Sequence, residues 1–297
     1  MNQQTAAALR EVGLDPSSVS NILQVALAED LGSGGDITSS ATVPPAATLT
    51  VGYVSRQPGT AAGLPVLAAL IDEHGGERAT LRVRTLDGDR LAAGQTLAEL
   101  TAPARTVLAL ERTTLNLLGH LCGVATLTRA WVDAVTGTPA RIRDTRKTTP
   151  LLRALEKYAV RCGGGSNHRD GLDDAILIKD NHVAAAGGVG AALDAAHAAH
   201  PHGDVVIQVE VDNLDQLAEA LDHGAVQVLL DNFDVLTCQR AVTMVRTRAP
   251  GTVIEASGGL ALDSAAAVAA TRVNFLAVGA LTHSAPSLDI GLDVIEL

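Results

Sequence analysis

Lysine is almost missing from this chain of 297 residues: it occurs only at Lys147, Lys157 and Lys179. Aromatic side chains are equally scarce at 2%, so the core must be packed by small aliphatics, which the 47% hydrophobic content supplies. No window approaches the ~18 consecutive apolar residues of a spanning helix. Met1–Leu14 has no basic start followed by an apolar run, so no signal peptide is read there. Cys122, Cys162 and Cys238 form no CxxC pair, and their odd number fits a reducing cytoplasm better than a disulfide framework. A net charge of −11 excludes a general nucleic-acid binder, because polyanions are held by broad basic faces. The expectation is a soluble cytoplasmic protein.

The cations that are present cluster. Segment Arg141–His182 holds nine Lys/Arg against six Asp/Glu inside an otherwise acidic chain. Lysine kept only here marks positions where a compact ammonium is needed and a planar guanidinium does not serve. Such an island is a place to hold a small, multiply charged anion.

The first hundred residues read as a helix (Val19–Asp30), then β-like runs at Thr48–Ser55, Ala79–Thr85 and Gln95–Leu100, with a helix at Gly63–His74 among them. Asp87–Leu97 resembles the hairpin repeat of barrel-sandwich carriers, but the hairpin lacks the lysine a carrier needs. Ala104–Val135 has helical spacing of Leu108, Leu115, Leu118, Leu121, Val124 and Leu127, with interruptions expected at Gly119 and Gly123. From Arg141 the rhythm becomes strand–helix alternation. Strands are expected at Arg141–Asp144, Ala175–Lys179, Val205–Glu210, Val226–Asp231, Val253–Ala256 and Asn274–Val278. Helices are expected at Pro150–Arg161 (Thr149 as N-cap), Val189–Ala199, Leu214–His223, Val235–Arg248 and Leu262–Thr271. Six βα units fall short of the eight in a full barrel. The fold class is therefore α/β, an incomplete α/β barrel behind an N-terminal α+β sandwich domain, with an open doubly wound sheet as the alternative. The domains are placed at 1–114 plus 285–297 and at 115–284.

Polar residues gather at the C-terminal ends of these strands, the edge where α/β folds build sites. They are Asp144-Thr145-Arg146-Lys147, Lys179-Asp180, Glu210, Asp231-Asn232, Ser257-Gly258-Gly259 and Gly279 through His283. Ser257-Gly258-Gly259 and Gly279-Ala280 suit a phosphate cradle of backbone N–H groups. Glu210 and Asp231 suit Mg²⁺, which takes one or two carboxylates plus ligand oxygens. Arg146, Lys147, His168, Arg169 and Lys179 supply the opposing positive side, with Gly163-Gly164-Gly165 turning the chain back toward the mouth. Lys157 reads as an exposed or salt-bridged mid-helix residue, and His197, His200 and His202 as a solvated turn. Cys162 lacks a partner base, and Trp131 reads as core.

These residues fall into motifs. Asp144-Thr145-Arg146-Lys147-Thr148, Gly163-Gly164-Gly165-Ser166-Asn167-His168-Arg169, Leu177-Ile178-Lys179-Asp180-Asn181-His182, Glu210-Val211-Asp212, Leu230-Asp231-Asn232 and Glu255-Ala256-Ser257-Gly258-Gly259 occur in that order. Together they resemble the quinolinate phosphoribosyltransferase family, of type II fold, over the span from Glu29-Asp30-Leu31 to Asp289-Ile290-Gly291-Leu292. The loop Leu31–Asp36 departs from it by one extra residue. The resemblance implies transfer of phosphoribosyl from phosphoribosyl pyrophosphate to quinolinate with decarboxylation, giving nicotinate mononucleotide for NAD synthesis. It implies Thr145, Arg146, His168, Arg169 and Lys179 as quinolinate ligands. It implies Lys147, Glu210, Asp231, Ser257, Gly258, Gly259, Gly279 and His283 as ligands of phosphoribosyl pyrophosphate and its Mg²⁺. It also implies a homodimer in which Arg112, on its own reading a helix-surface residue, is supplied across the interface. The other readings are a related phosphoribosyltransferase acting on another pyridine or a molybdenum-associated substrate, a barrel lyase using Lys179 as a Schiff base, and a non-catalytic anion receptor.

Overall fold

The computed structural model describes residues 1–296. In chain order come α1 (Gln3–Glu11), α2 (Pro16–Leu31), α3 (Ile37–Thr42), β1 (Thr48–Ser55), β2 (Gly59–Thr60), α4 (Leu64–His74), β3 (Thr80–Val83), β4 (Arg90–Leu91), β5 (Thr96–Pro103) and α5 (Ala104–Ala134). The rest is β6 (Arg141–Arg143), α6 (Arg153–Cys162), β7 (Ile176–Ile178), α7 (Asp180–Ala186), α8 (Val189–Ala199), β8 (Ile207–Val211), α9 (Leu214–Asp222), β9 (Gln227–Asp231), α10 (Val235–Arg248), β10 (Val253–Ser257), α11 (Ala265–Ala270), β11 (Phe275–Ala277), α12 (Ala280–His283) and β12 (Ile290–Glu296). One compact unit comprises Met1–Arg129, Thr148–Gly164 and the chain from Leu281 on; the other comprises Ala130–Lys147 and Gly165–Ala280.

In the first unit a four-stranded antiparallel sheet runs in the order β12-β1-β5-β3. Helix α2 starts where Asp15 accepts the Ser18 N–H, with Pro16 in the first turn, where its missing donor costs nothing. Helix α5 is unbroken through Gly119 and Gly123, contrary to expectation. The glycines serve packing instead: a Cβ on Gly119 would meet the Leu288 carbonyl oxygen at 3.0 Å, and one on Gly123 would overlap the Pro286 carbonyl. Helix α6 starts at Arg153 with Leu152 as cap, not at Pro150 with Thr149 as cap. Leu151 takes φ 70, which a helix cannot pass through, and the Thr149 N–H goes to Glu156 Oε2 at 3.0 Å. Lys157, expected to be exposed or salt-bridged, is buried.

The second unit is a six-stranded parallel sheet in the order β6-β11-β10-β9-β8-β7. Each strand lies beside its sequence neighbour except at one place, between the first and second. A doubly wound sheet would carry its first strand inside the order. Here it sits at the edge beside the last, which is the order of a barrel opened between β6 and β7. At that opening Ser166 forms a parallel bridge with Arg143, laying the segment after Gly165 along β6. Alternation within the strands buries Val209, Val211, Val228, Leu230, Ile254 and Ala256 on one face and turns Gln208, Glu210 and Glu255 to the other. Trp131 is buried in this unit, as expected.

Candidate active site

Every strand-end residue from Thr145 to Gly279 singled out in the sequence belongs to this second unit. Thr145, Arg146 and Lys147 follow β6; Lys179 follows β7; Glu210 lies in β8; Asp231 ends β9; Ser257 ends β10, with Gly258 and Gly259 next; Gly279 follows β11. Parallel register carries them to one edge: Ser257 pairs with Asp231, and Ile178 with Val209, so Lys179 and Glu210 come abreast. Arg112 and His283 belong to the other unit. Arg112 is exposed on α5, and His283 Nδ1 lies 2.6 Å from Ser284 Oγ.

The positive side is held by the Asn167-His168-Arg169 segment. Asp144, fully buried just past β6, accepts Asn167 Nδ2 at 2.5 Å and the His168 backbone N–H at 2.7 Å. The Arg169 guanidinium donates from Nη1 to the Ala175 carbonyl at 2.9 Å, while its buried Nε has no partner. Burial, and then repulsion from Arg146, pull the Arg169 guanidinium below its ordinary value against the attraction of Asp174. Two guanidiniums that repel each other, with the Arg169 Nε donor unused, have the chemistry to hold an anion bearing more than one carboxylate.

Across the edge, Lys179 Nζ donates to Glu210 Oε2. Burial pushes the Glu210 carboxyl up; Lys179 pulls it back, and Asp231 and Asp180 add to the rise. A divalent cation between Glu210 and Asp231 would relieve that carboxylate repulsion, so the donor set fits Mg²⁺. Next to them Asn232, at φ 56, donates from Nδ2 to Asp231 Oδ2 at 2.6 Å, and its N–H meets the Ser257 carbonyl at 2.9 Å. Gly258 at φ +83 leaves no room for a Cβ, which would overlap Asn232 Oδ1. The glycine turn is therefore fixed by contact as well as by backbone angle.

Gln208 and Glu255 were given no role from sequence. Both are buried, on the same strand face as Glu210. Gln208 Oε1 lies 3.0 Å from His168 Nε2, and Glu255 accepts Arg143 Nη1 at 2.8 Å. The signal that could have found them is a polar side chain in the middle of an otherwise apolar strand. Cys162 fits its discounted role: burial and the neighbouring Asp87 push its thiol up to about 12, far from a thiolate nucleophile.

The sequence matches two family models, "Quinolinate phosphoribosyl transferase, N-terminal domain" over 36–122 and "Quinolinate phosphoribosyl transferase, C-terminal domain" over 124–293. It is 54% identical to the nicotinate-nucleotide pyrophosphorylase [carboxylating] of Mycobacterium leprae over 270 residues, covering 91% of this chain and 94% of that protein. It is 42% identical to the probable nicotinate-nucleotide pyrophosphorylase [carboxylating] of Bacillus subtilis, covering 90% of each. Among solved structures, the nicotinate-nucleotide pyrophosphorylase of Ehrlichia chaffeensis superposes with TM-score 0.87 at 36% identity, covering 93% of this chain and 98% of that one. With both halves matched in order and the fold superposing on a solved relative over most of both chains, the chain belongs to the quinolinate phosphoribosyltransferase family.

Proposed function

We propose that this protein transfers phosphoribosyl from phosphoribosyl pyrophosphate to quinolinate with loss of CO₂, yielding nicotinate mononucleotide and diphosphate. The observation that carries the reading within the site is the repelling pair Arg146 and Arg169, with the Arg169 Nε donor unused, in the same unit as Glu210 and Asp231 on neighbouring strands. Its chemistry matches a planar dianion meeting an activated sugar phosphate, and the printed names of the relatives agree.

In this reading Thr145, Arg146, His168, Arg169 and Lys179 hold the two carboxylates. Lys147, Ser257, Gly258, Gly259, Gly279 and His283 take the phosphate groups. Glu210 and Asp231 would hold Mg²⁺, which when bound neutralises the diphosphate oxygens. The pyridine nitrogen forms a bond to the anomeric carbon as the bond to diphosphate breaks and the electron pair leaves with it. The ring nitrogen is then cationic. The bond to the adjacent carboxylate breaks, its electrons stay on the ring, CO₂ departs and a proton takes its place. The cations contribute by fixing the ring nitrogen toward the sugar and by opposing the leaving group's charge.

Arg112 is proposed to reach the site from a second copy of the chain, for which its exposure on α5 in the first unit is the support. A cytoplasmic location belongs to the same proposal: the three cysteines are free, and no helix among the described residues is long and apolar enough to cross a membrane. The Schiff-base reading loses ground because the Lys179 ammonium is held by the Glu210 carboxylate, whereas attack on a carbonyl needs a neutral amine. The test is incubation with quinolinate, phosphoribosyl pyrophosphate and Mg²⁺. Nicotinate mononucleotide and CO₂ are expected in equal amounts, with little product when nicotinic acid replaces quinolinate. Absence of both products, or a borohydride-trapped adduct on Lys179, sinks the reading.

A further inference from the structure

The centre of the second unit holds a charge that packing alone does not explain. Glu255 is fully buried in mid-strand β10, with Ile254 and Ala256 buried on either side of it. Its Oε2 takes Arg143 Nη1 at 2.8 Å, and the Arg143 guanidinium lies over the Phe275 ring at 4.0 Å. Its Oε1 lies 3.4 Å from His168 Nε2. Burial alone would raise this carboxyl, yet His168 and Arg143 together hold it below the usual range. Buried ion pairs are often no more stable than apolar residues of the same size, so a buried carboxylate kept at a strand centre calls for a reason other than stability.

The imidazole it faces supplies one. His168 Nδ1 accepts the backbone N–H of Arg169 at 2.7 Å, and a backbone N–H can only donate. Nδ1 is therefore bare, and the neutral ring carries its proton on Nε2, where Gln208 Oε1 at 3.0 Å receives it, while Glu255 Oε1, 3.4 Å away and without a hydrogen bond, acts on that N–H as a buried negative charge. Both ring nitrogens thus have partners within the protein. The opposite tautomer would aim two N–H groups at each other and push the Arg169 backbone away.

Resting on the reading in which Arg169 holds a quinolinate carboxylate, we infer that Glu255 is a positioning residue: with Gln208 it fixes the Nε2–H tautomer of His168, and His168 in turn fixes the backbone of Arg169. Asp144 completes the clamp from the other side by binding the Asn167 side chain and the His168 N–H. Specificity for the dicarboxylate is thereby set two residues behind the guanidinium that touches it.

The experiment combines Glu255→Leu and Glu255→Gln with kinetics for each substrate and with long-range ¹H–¹⁵N correlation spectra of the His168 ring, assigned by difference from His168→Gln. Wild type should show the Nε2–H tautomer. Glu255→Leu should lose the fixed tautomer and raise the quinolinate KM about 10- to 100-fold, the scale seen when an outer support of a bound group is removed, with the phosphoribosyl pyrophosphate KM unchanged. Glu255→Gln should fall between, because its amide oxygen keeps a partial negative charge beside Nε2–H. An unchanged quinolinate KM in a folded variant, or both KM values rising together, overturns the inference. If Glu255→Leu fails to fold, Glu255→Gln decides alone. If wild type turns over no quinolinate, the functional reading falls by itself. The tautomer still judges Glu255: one unaltered by either substitution overturns its role.

Discussion

Arg146 and Arg169 sit close enough for one to lower the proton affinity of the other, a cost that a bound dianion removes. Truncating one of them should therefore be felt by the dicarboxylate first. Arg146→Ala is expected to weaken quinolinate binding by about 1.5–3 kcal/mol, the worth of a hydrogen bond to a charged group, and to weaken phosphoribosyl pyrophosphate less. Titration calorimetry with each ligand separately checks it, and equal losses for both would contradict the assignment. Glu255 leaves a mark on stability as well as on kinetics. Its folded-state pKa is depressed below the ordinary 4.5, so the unfolded chain takes up this proton first as pH falls. The stability it contributes is whole above pH 4.5 and is lost as pH drops through the folded value. Denaturant unfolding of Glu255→Gln between neutral pH and pH 3 should show a shallower acid limb than wild type. An identical slope would mean that the carboxyl titrates alike in the folded and the unfolded chain.

The regular elements were legible because periodicity survives burial: β1, α8 and α10 begin and end where the sequence pattern places them. The misreadings share a cause, which is a partner that the local pattern does not show. Thr149-Pro150 carries a good helix-start signal, but Glu156 claims the Thr149 N–H and Leu151 turns left-handed, so α6 waits until Arg153. Strand β12 follows a loop, and its antiparallel pairing with β1 makes it a strand. Gly119 and Gly123 looked like flaws in α5 because propensity disfavours glycine in a helix interior by about 1 kcal/mol. In the folded chain the segment Pro286–Leu288 lies against them. Gly123→Ala should therefore lower the melting temperature although it raises helix propensity, with Gly119→Ala milder because its added Cβ meets carbonyl oxygen at 3.0 Å and not closer. A rise in melting temperature for Gly123→Ala would show that the Pro286 segment yields at little cost.

At the scale of the whole molecule, the strand-end residues were readable as a set because a parallel α/β sheet sends every strand's C-terminal end to one edge. Their supports were not, since Gln208 and Glu255 acquire meaning only when a ring from the segment bridging the barrel opening is laid against them. Arg112 and His283 stand apart, in the other compact unit, and the proposed exchange of Arg112 between subunits gives a test that single-chain geometry cannot. Arg112→Ala and Lys147→Ala homodimers should each be nearly inactive for different reasons, one lacking the donated arginine and one the receiving lysine. When the two are unfolded together and refolded, a hybrid dimer holds one site with both defects and one with neither. Random pairing makes half the dimers hybrids, each with one of two sites intact, so recovery of roughly a quarter of wild-type activity is expected if a two-fold dimer shares its sites. Recovery should vanish when both substitutions are placed on the same chain and that chain is refolded with wild-type subunits in trace amount. If mixed refolding restores nothing while each variant remains dimeric by light scattering, Arg112 serves its own subunit and the shared-site arrangement is wrong.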